Sequence, residues 1–470
     1  MMHIKNFSYS AILVIFLLLF ILINPFTNLD ILAFLVAGFI ILQKILGEYF
    51  ILVLLALRPA MDYWRDYNLF SVRVFNFNIN AALSVFLLIW TILFIAQNYR
   101  YAKKLPLTGI WTAFILWCGI SALYTYSVSA TVIETLKLSN LFGLFAITHI
   151  MSQKNPQAFK KYFLASAIGA AVIPFAVGAY QFITKTGMDI DDVANRIFGT
   201  FAHPNVLATF ALTLLLLAVS ELVSRTSIHG FKKMDFFNLN QEPKIKLVIF
   251  ALVCVIALTY TRIAWIGAAI LGCFIGAMYY RKLLLYACVA IALFYGLFYP
   301  VNRYLINNFN VNLQANTLIA RLTSRNQDAD SVRWRTNLAA KIIPLFKEHW
   351  LVGYGYGTFS RVWDDNKDIE NLWDNTSEAH NDYIKVAFES GVIGLVLFVF
   401  IFITLLYQQI VFGLKNNWLN IIFIASIFIY LTLSVSDNML RHTPVIWWLW
   451  AIWGYWISQQ KTIRESHLNK

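Results

Sequence analysis

The feature that most constrains this chain is a succession of apolar runs about as long as a membrane is thick. A spanning helix needs roughly 20 consecutive apolar residues, and such runs follow one another almost from end to end of the 470 residues. Backbone groups inside hydrocarbon must be satisfied within the structure, which leaves helices or a closed barrel. The runs are continuous rather than alternating, so helices are the reading. Charged residues make up 13% of the chain, against about 25% in a soluble domain. The expectation is an all-α polytopic membrane protein with ~12–14 transmembrane helices and one long, partly helical loop outside the membrane.

The first run, "AILVIFLLLFILIN" (11–24), resembles a signal-peptide core. No small-x-small cleavage site follows it, so it reads as a retained first span. Cys118, Cys254, Cys273 and Cys288 all fall inside apolar runs and make no metal-ligand spacing. Buried structural thiols are expected, with no metal and no cofactor. The formal charge of +13 fits cytoplasmic loops and contacts to anionic membrane lipids, and no nucleic acid partner is expected.

Short loops rich in Lys and Arg should be cytoplasmic. Five stretches qualify: 98–104, 152–161, 224–246, 281–282 and 461–470. They agree with one alternation, which puts both termini in the cytoplasm. The outer side then receives 58–78, 184–205, the corner "TYTR" (259–262), a long loop from Pro300 to Asp382, and "SVSDNMLRHT" (434–443). In the long loop, Trp334, Trp350, Trp363 and Trp373 argue against disorder. The spacing of Leu338, Ile342, Leu345 and Phe346 predicts an amphipathic helix in 331–350 that packs back on the membrane domain.

Arginine is the anomaly on the outer side. Arg196 and Arg262 sit in short loops at the edges of spans, where basic residues are discouraged and a charge is a functional candidate. Guanidinium is suited to bidentate phosphate recognition. Converging arginines at the outer leaflet therefore point to a phosphate-bearing lipid. Headgroup snorkelling or pairing with Asp189, Asp191, Asp192 or Asp382 is the plainer alternative. His380 stands at the threshold of an apolar helix in "EAHNDY". Histidine titrates near neutrality and is the commonest general base, and Glu378 or Asp382 is placed to orient it. The "GYGYG" at 353–357 lacks the preceding Thr-Val of a potassium filter and reads as a tight turn.

Three stretches together resemble the bacterial O-antigen ligase and polymerase superfamily. They are "RIFGTFAHPNVLATF" (196–210), "TYTRIAWIGAAI" (259–270) and "HWLVGYGYGTF…EAHNDYIKVAFESGVIGL" (349–395). The order of the three, with the long loop before the last, is the specific signal. The resemblance implies a GT-C type membrane glycosyltransferase in the inner membrane. It implies transfer of a glycan from undecaprenyl diphosphate to a hydroxyl acceptor at the periplasmic face, with inversion. By motif it makes His380 the base and assigns Arg196, Arg262 and Arg333 to the donor diphosphate. Glu378, Asn381, Asp382, Tyr383, His203 and Asn205 are supporting residues, with His203 capping or lining the start of its helix. Gly391 and Gly394 are read as allowing close helix packing.

The implied organisation is N-terminal helices over 1–184, a ligase/polymerase-like core over 185–440 including the loop 300–382, and a last span with a tail over 441–470. The implied acceptor is another lipid-linked glycan or lipid A core, with a chain-length regulator as partner. "RPAMDYW" (58–64) resembles a segment of exopolysaccharide polymerase-like members and favours polymerisation. The chain runs about ten residues past its last apolar run, which ranks a protein acceptor last. A flippase of lipid-linked glycans is the alternative of a different class. It would want charge along a midplane pathway, whereas the polar residues here gather at one face.

Overall fold

The computed structural model describes residues 28–65, 67–72, 75–190, 194–227, 242–309, 331–366, 378–411 and 418–468. The first apolar run, Arg321, Arg325 and Trp373 lie outside them, as do the side chains of Arg333, Trp334 and Cys288. The N-terminal helices are α1 (Asn28–Leu46), α2 (Phe50–Met61), α3 (Ile79–Gln97), α4 (Thr108–Ile120), α5 (Val128–Lys154) and α6 (Pro156–Thr184). The central ones are α7 (Pro204–Ser227), α8 (Pro243–Leu258), α9 (Arg262–Tyr279) and α10 (Arg281–Phe309). Then come α11 (Ser331–Glu348), α12 (Phe359–Asn366), α13 (Asp382–Val411), α14 (Trp418–Ser436) and α15 (Thr443–Leu468).

Among the described residues, seven helices are long and apolar enough to cross a bilayer, with two shorter apolar ones beside them. The protein is an all-α polytopic membrane protein. α15 falls outside the seven; its buried side chains include Trp447, Trp448, Trp450, Trp453 and Trp456. Among the described residues, two small hairpins depart from pure helix. β1 (Asn68–Val72) pairs antiparallel with β2 (Phe75–Asn78), and β3 (Met188–Ile190) with β4 (Ala194–Arg196). The long loop also begins later than the sequence implies, because α10 continues through Pro300 to Phe309.

α7 is the central post, with 94% of its apolar window buried inside the protein. α5 and α15 form a second spine. Lipid tails are as apolar as leucine, so close backbone approach and interhelical hydrogen bonds hold such pairs. Thr148 Oγ1 donates to the Ala451 carbonyl at 2.9 Å. Trp453 Nε1 donates to Ser426 Oγ at 2.8 Å, tying α15 to α14. The rings of Trp450 and Trp453 meet edge to face at 4.8 Å. Of the cysteines, Cys118 is buried, Cys254 half-buried and Cys273 exposed. The expectation of buried thiols therefore fails for Cys273, which lies on an apolar helix face that the protein leaves uncovered.

The helices alternate in direction, and this sorts the two ends of the bundle. The start of α7, the α8–α9 corner, the start of α13 and the α14–α15 link share one end. The basic stretches at 98–104, 152–161 and 281–282 join helices at the other. There Lys154 pairs with Glu48 at 2.6 Å and Lys160 with Glu221 at 2.9 Å.

Outside the spans, α11 and α12 build a satellite core. Leu338, Ile342, Phe359, Val362, Trp363, Ala379 and Phe388 are buried in it, with Leu345 and Phe346 packed alongside. The predicted face of α11 is therefore the one that packs. The turn 353–357 docks on α13 through Tyr354 N–H and Gly355 N–H, which donate to the Phe388 and Glu389 carbonyls at 3.1 and 2.9 Å. The break in α13 that receives it is Gly391, at φ +67°, where a Cβ would stand 2.1 Å from the Leu351 carbonyl oxygen.

Candidate active site

Arg196 ends β4 and is buried. Gln181 of α6 clamps the turn after it: its Oε1 accepts from Phe198 N–H and Gly199 N–H at 2.9 and 2.8 Å. Arg196 Nε donates to the Thr259 carbonyl at 2.6 Å. Its Nη2 donates to Thr261 Oγ1 at 2.9 Å and Asn205 Oδ1 at 3.1 Å. Two motifs separated by more than 60 residues are thereby joined. Between the two threonines, Tyr260 takes the left-handed conformation, φ +50°, so the chain reverses sharply and α9 starts at Arg262.

His203 caps α7. Its Nδ1 accepts from Asn205 N–H at 3.1 Å and its carbonyl from Val206 N–H at 3.0 Å. Burial, reinforced by the Arg196 charge, pushes its imidazole down to about 4. At neutral pH it is an uncharged acceptor.

The link between α14 and α15 is the hub. Asn205 Nδ2 donates to Asp437 Oδ2 at 3.4 Å, and His442 Nε2 stands 3.1 Å from Asp437 Oδ1. Burial works to raise the Asp437 carboxyl. His442, His380 and the Asn438 N–H outweigh it and hold the group below the usual carboxylate range. Burial likewise works against the His442 imidazolium, but Asp437 lifts it above its ordinary value. Asn438 Oδ1 accepts from Asn381 N–H at 2.9 Å, and its Nδ2 donates to Glu378 Oε2 at 2.7 Å. Asn381 Oδ1 in turn caps α13 through Ile384 N–H at 3.0 Å.

His380 precedes this cap with φ +47°. A non-glycine residue in that region costs of order 1–3 kcal/mol and clusters at functional sites. The two carboxylates expected to orient His380 each hold other partners as well. Asp382 Oδ2 accepts from Ser434 Oγ at 2.9 Å and Leu440 N–H at 3.3 Å. Glu378 is held by Arg441, by Asn438 and by Lys385 at 3.6 Å. Asp437 is a carboxylate that senses His380. Tyr383 turns its hydroxyl to the Leu431 carbonyl at 2.9 Å.

Arg335, half-buried on α11, completes the group. Burial lowers its guanidinium, Asp437 opposes this and Arg262 adds to it, so all three share one neighbourhood. His203 senses Arg196, Asp437, His442 and His380 together. The structure thus brings Arg196, His203, Asn205, Arg262 and His380 to one end of the bundle. Arg333 lies in α11 with its side chain outside the described residues. Asp437, His442, Asn438 and Arg335 are additions that sequence reasoning missed. The polar residues of "SDN…RH" in an otherwise apolar stretch were the available signal. Among the described residues, no three His, Cys, Asp or Glu side chains stand close enough to share a metal ion.

Residues 247–399 match the family model of the O-antigen ligases. The matched stretch runs from α8 into α13 and contains Arg262, Arg335 and His380, but neither Arg196 nor Asp437. No curated protein matches the chain at a significant level.

Proposed function

We propose, from the O-antigen ligase domain at residues 247–399 and the polar cluster it helps to build, that this protein transfers a glycan from a polyprenyl-diphosphate carrier to a hydroxyl acceptor. That match supports a membrane glycosyltransferase of the O-antigen ligase or polymerase type. The observation that carries the finer reading is the convergence of Arg196, Arg262 and Arg335 with His380 and Asp437 at one end of the bundle.

In this reading His380 takes the proton of the acceptor hydroxyl as its oxygen attacks the anomeric carbon. The bond from that carbon to the diphosphate oxygen breaks, and the anomeric configuration inverts. Arg196 and Arg262 stabilise the charge that develops on the leaving diphosphate, in a site where fixed dipoles act at low dielectric. No metal and no cofactor takes part. Asp437 stabilises His380 once it is protonated, and Asn205 links it to Arg196. An apolar cavity lined by Phe175, Gly178, Phe182, Ile197, Leu207 and Leu258 adjoins Arg196 through Ile197, and offers the first isoprene units a place.

The site faces the periplasm across the inner membrane, with both termini cytoplasmic. The acceptor is a second lipid-linked glycan, so the product is a polymer, in keeping with the segment 58–64. The test is reconstitution with undecaprenyl-diphosphate-linked repeat units, with and without lipid A core. A product ladder without core is expected. A single core-linked product would instead make the protein a ligase. Relocation of lipid without any new glycosidic bond would overturn the reading in favour of a flippase.

A further inference from the structure

Arg58 lies inside a membrane-spanning helix, 3% exposed. A guanidinium there is unfavourable unless its partners match it. Nη1 donates to Asp62 Oδ1 at 3.3 Å and Nη2 to Thr443 Oγ1 at 2.6 Å. The guanidinium carbon stands 5.7 Å from the centre of the Trp447 ring. α2 accepts two more bonds, one at its middle and one near the Arg58 end. Trp448 Nε1 donates to the Leu55 carbonyl at 3.0 Å, and Thr200 Oγ1 to the Pro59 carbonyl at 2.8 Å.

One helix end therefore grips both α15 and the segment that carries Arg196 and His203. A methionine would fill the volume without burying charge, so what arginine adds is direction. It points at Thr443, the residue after His442. The His442 carbonyl accepts from Val445 N–H and Ile446 N–H at 2.9 and 3.0 Å, so Thr443 stands in the first turn of α15. Where that turn sits decides where the His442 ring lies, 3.1 Å from Asp437.

We infer that Arg58 is a positioning residue: acting through Thr443, it fixes the first turn of α15 and with it the His442–Asp437 pair. The contacts that hold it are to Asp62, Thr443 and Trp447, and through Thr443 it acts on the reaction at one remove. The consequence for catalysis rests on the proposed function, whereas the geometric claim does not.

The test uses full-length protein in lipid nanodiscs, with Thr443→Ala, Arg58→Lys, Arg58→Met and the Arg58→Met/Thr443→Ala double variant. His442 is followed by NMR of labelled histidine, its signal identified by its loss in His442→Gln. The groups that His442 senses are Asp437, Arg441, Asp382 and His203, and Thr443→Ala alters none of them. The midpoint of His442 should fall by at least ~0.5 pH unit in Thr443→Ala as the pair loosens. Turnover should fall about tenfold with the donor KM within about twofold. Arg58→Lys should lie between wild type and Arg58→Met. The double variant should be no slower than the worse single, because both act through one contact.

An unmoved His442 midpoint in folded Thr443→Ala, or losses that simply add, would overturn the inference. Should Arg58→Met fail to assemble, Thr443→Ala and Arg58→Lys decide it. If wild-type protein forms no glycosidic bond, the proposed function fails while the His442 midpoint still decides the geometric claim.

Discussion

At the scale of the residue, Arg196 shows why type matters more than charge. Its guanidinium directs Nε and Nη2 at three acceptors on two separate segments, a fork that a lysine ammonium cannot reproduce. Arg196→Lys should therefore lower transfer by about 10²-fold, and the measurement is initial rate in proteoliposomes. His203 carries a separable prediction. Its folded pKa, about 4, lies below its unfolded value of about 6.5. Between those two the unfolded chain binds more protons, so stability falls as pH drops through the window and is unaffected by this group above it. His203→Gln, which keeps an acceptor for Asn205 N–H, should flatten the fall in melting temperature between about pH 6.5 and 4. A tryptophan-fluorescence melt across that range checks it. A slope equal to wild type would show that another group carries the acid sensitivity.

At the scale of the element, the α5–α15 crossing depends on Gly454. A Cβ there would stand 2.2 Å from the Phe145 carbonyl oxygen and 2.4 Å from Thr148 Oγ1. Gly454→Ala must push the helices apart, at about 1–3 kcal/mol, and should lower the melting midpoint by several degrees. Gly272→Ala is the control, since a Cβ there meets nothing within 4 Å. It should be neutral or raise stability by about 0.5–1 kcal/mol. Elements differ in how far they can be read from sequence. α11 shows its packed face in the spacing of Leu338 and Ile342, because a helix repeats its pattern over many residues. β3 and β4 have three residues each, too few to display a period, yet they deliver Arg196. Asp437 and Asn438 were visible as polar residues in a loop. Their place in the site was not, because it comes from contacts across 232 positions to Asn205 and 57 to Asn381. No local pattern encodes such separations. The same limit holds for Glu378 and Asp382: nearness in sequence to His380 does not set which way a carboxylate turns.

At the scale of the whole molecule, charge and topology agree. The basic stretches between helices gather at the end of the bundle remote from Arg196, and on the positive-inside rule we propose that this end is the cytoplasmic one. The site would then face outward, where a lipid-linked glycan presents its diphosphate to the arginines. The long loop is exempt from the rule, since large segments cross regardless of charge, so its arginines carry no weight in the assignment. That leaves the orientation resting on short loops and open to a direct check. Single cysteines placed at Asp365 of α12 and at Lys103, in a background where Cys118, Cys254, Cys273 and Cys288 are replaced, should behave oppositely. In intact spheroplasts a membrane-impermeant maleimide should label position 365 at once. It should label position 103 only after the membrane is permeabilised. The reverse pattern would place the arginine cluster in the cytoplasm. A periplasmic acceptor would then be ruled out, and transfer from a carrier that has already crossed the membrane with it.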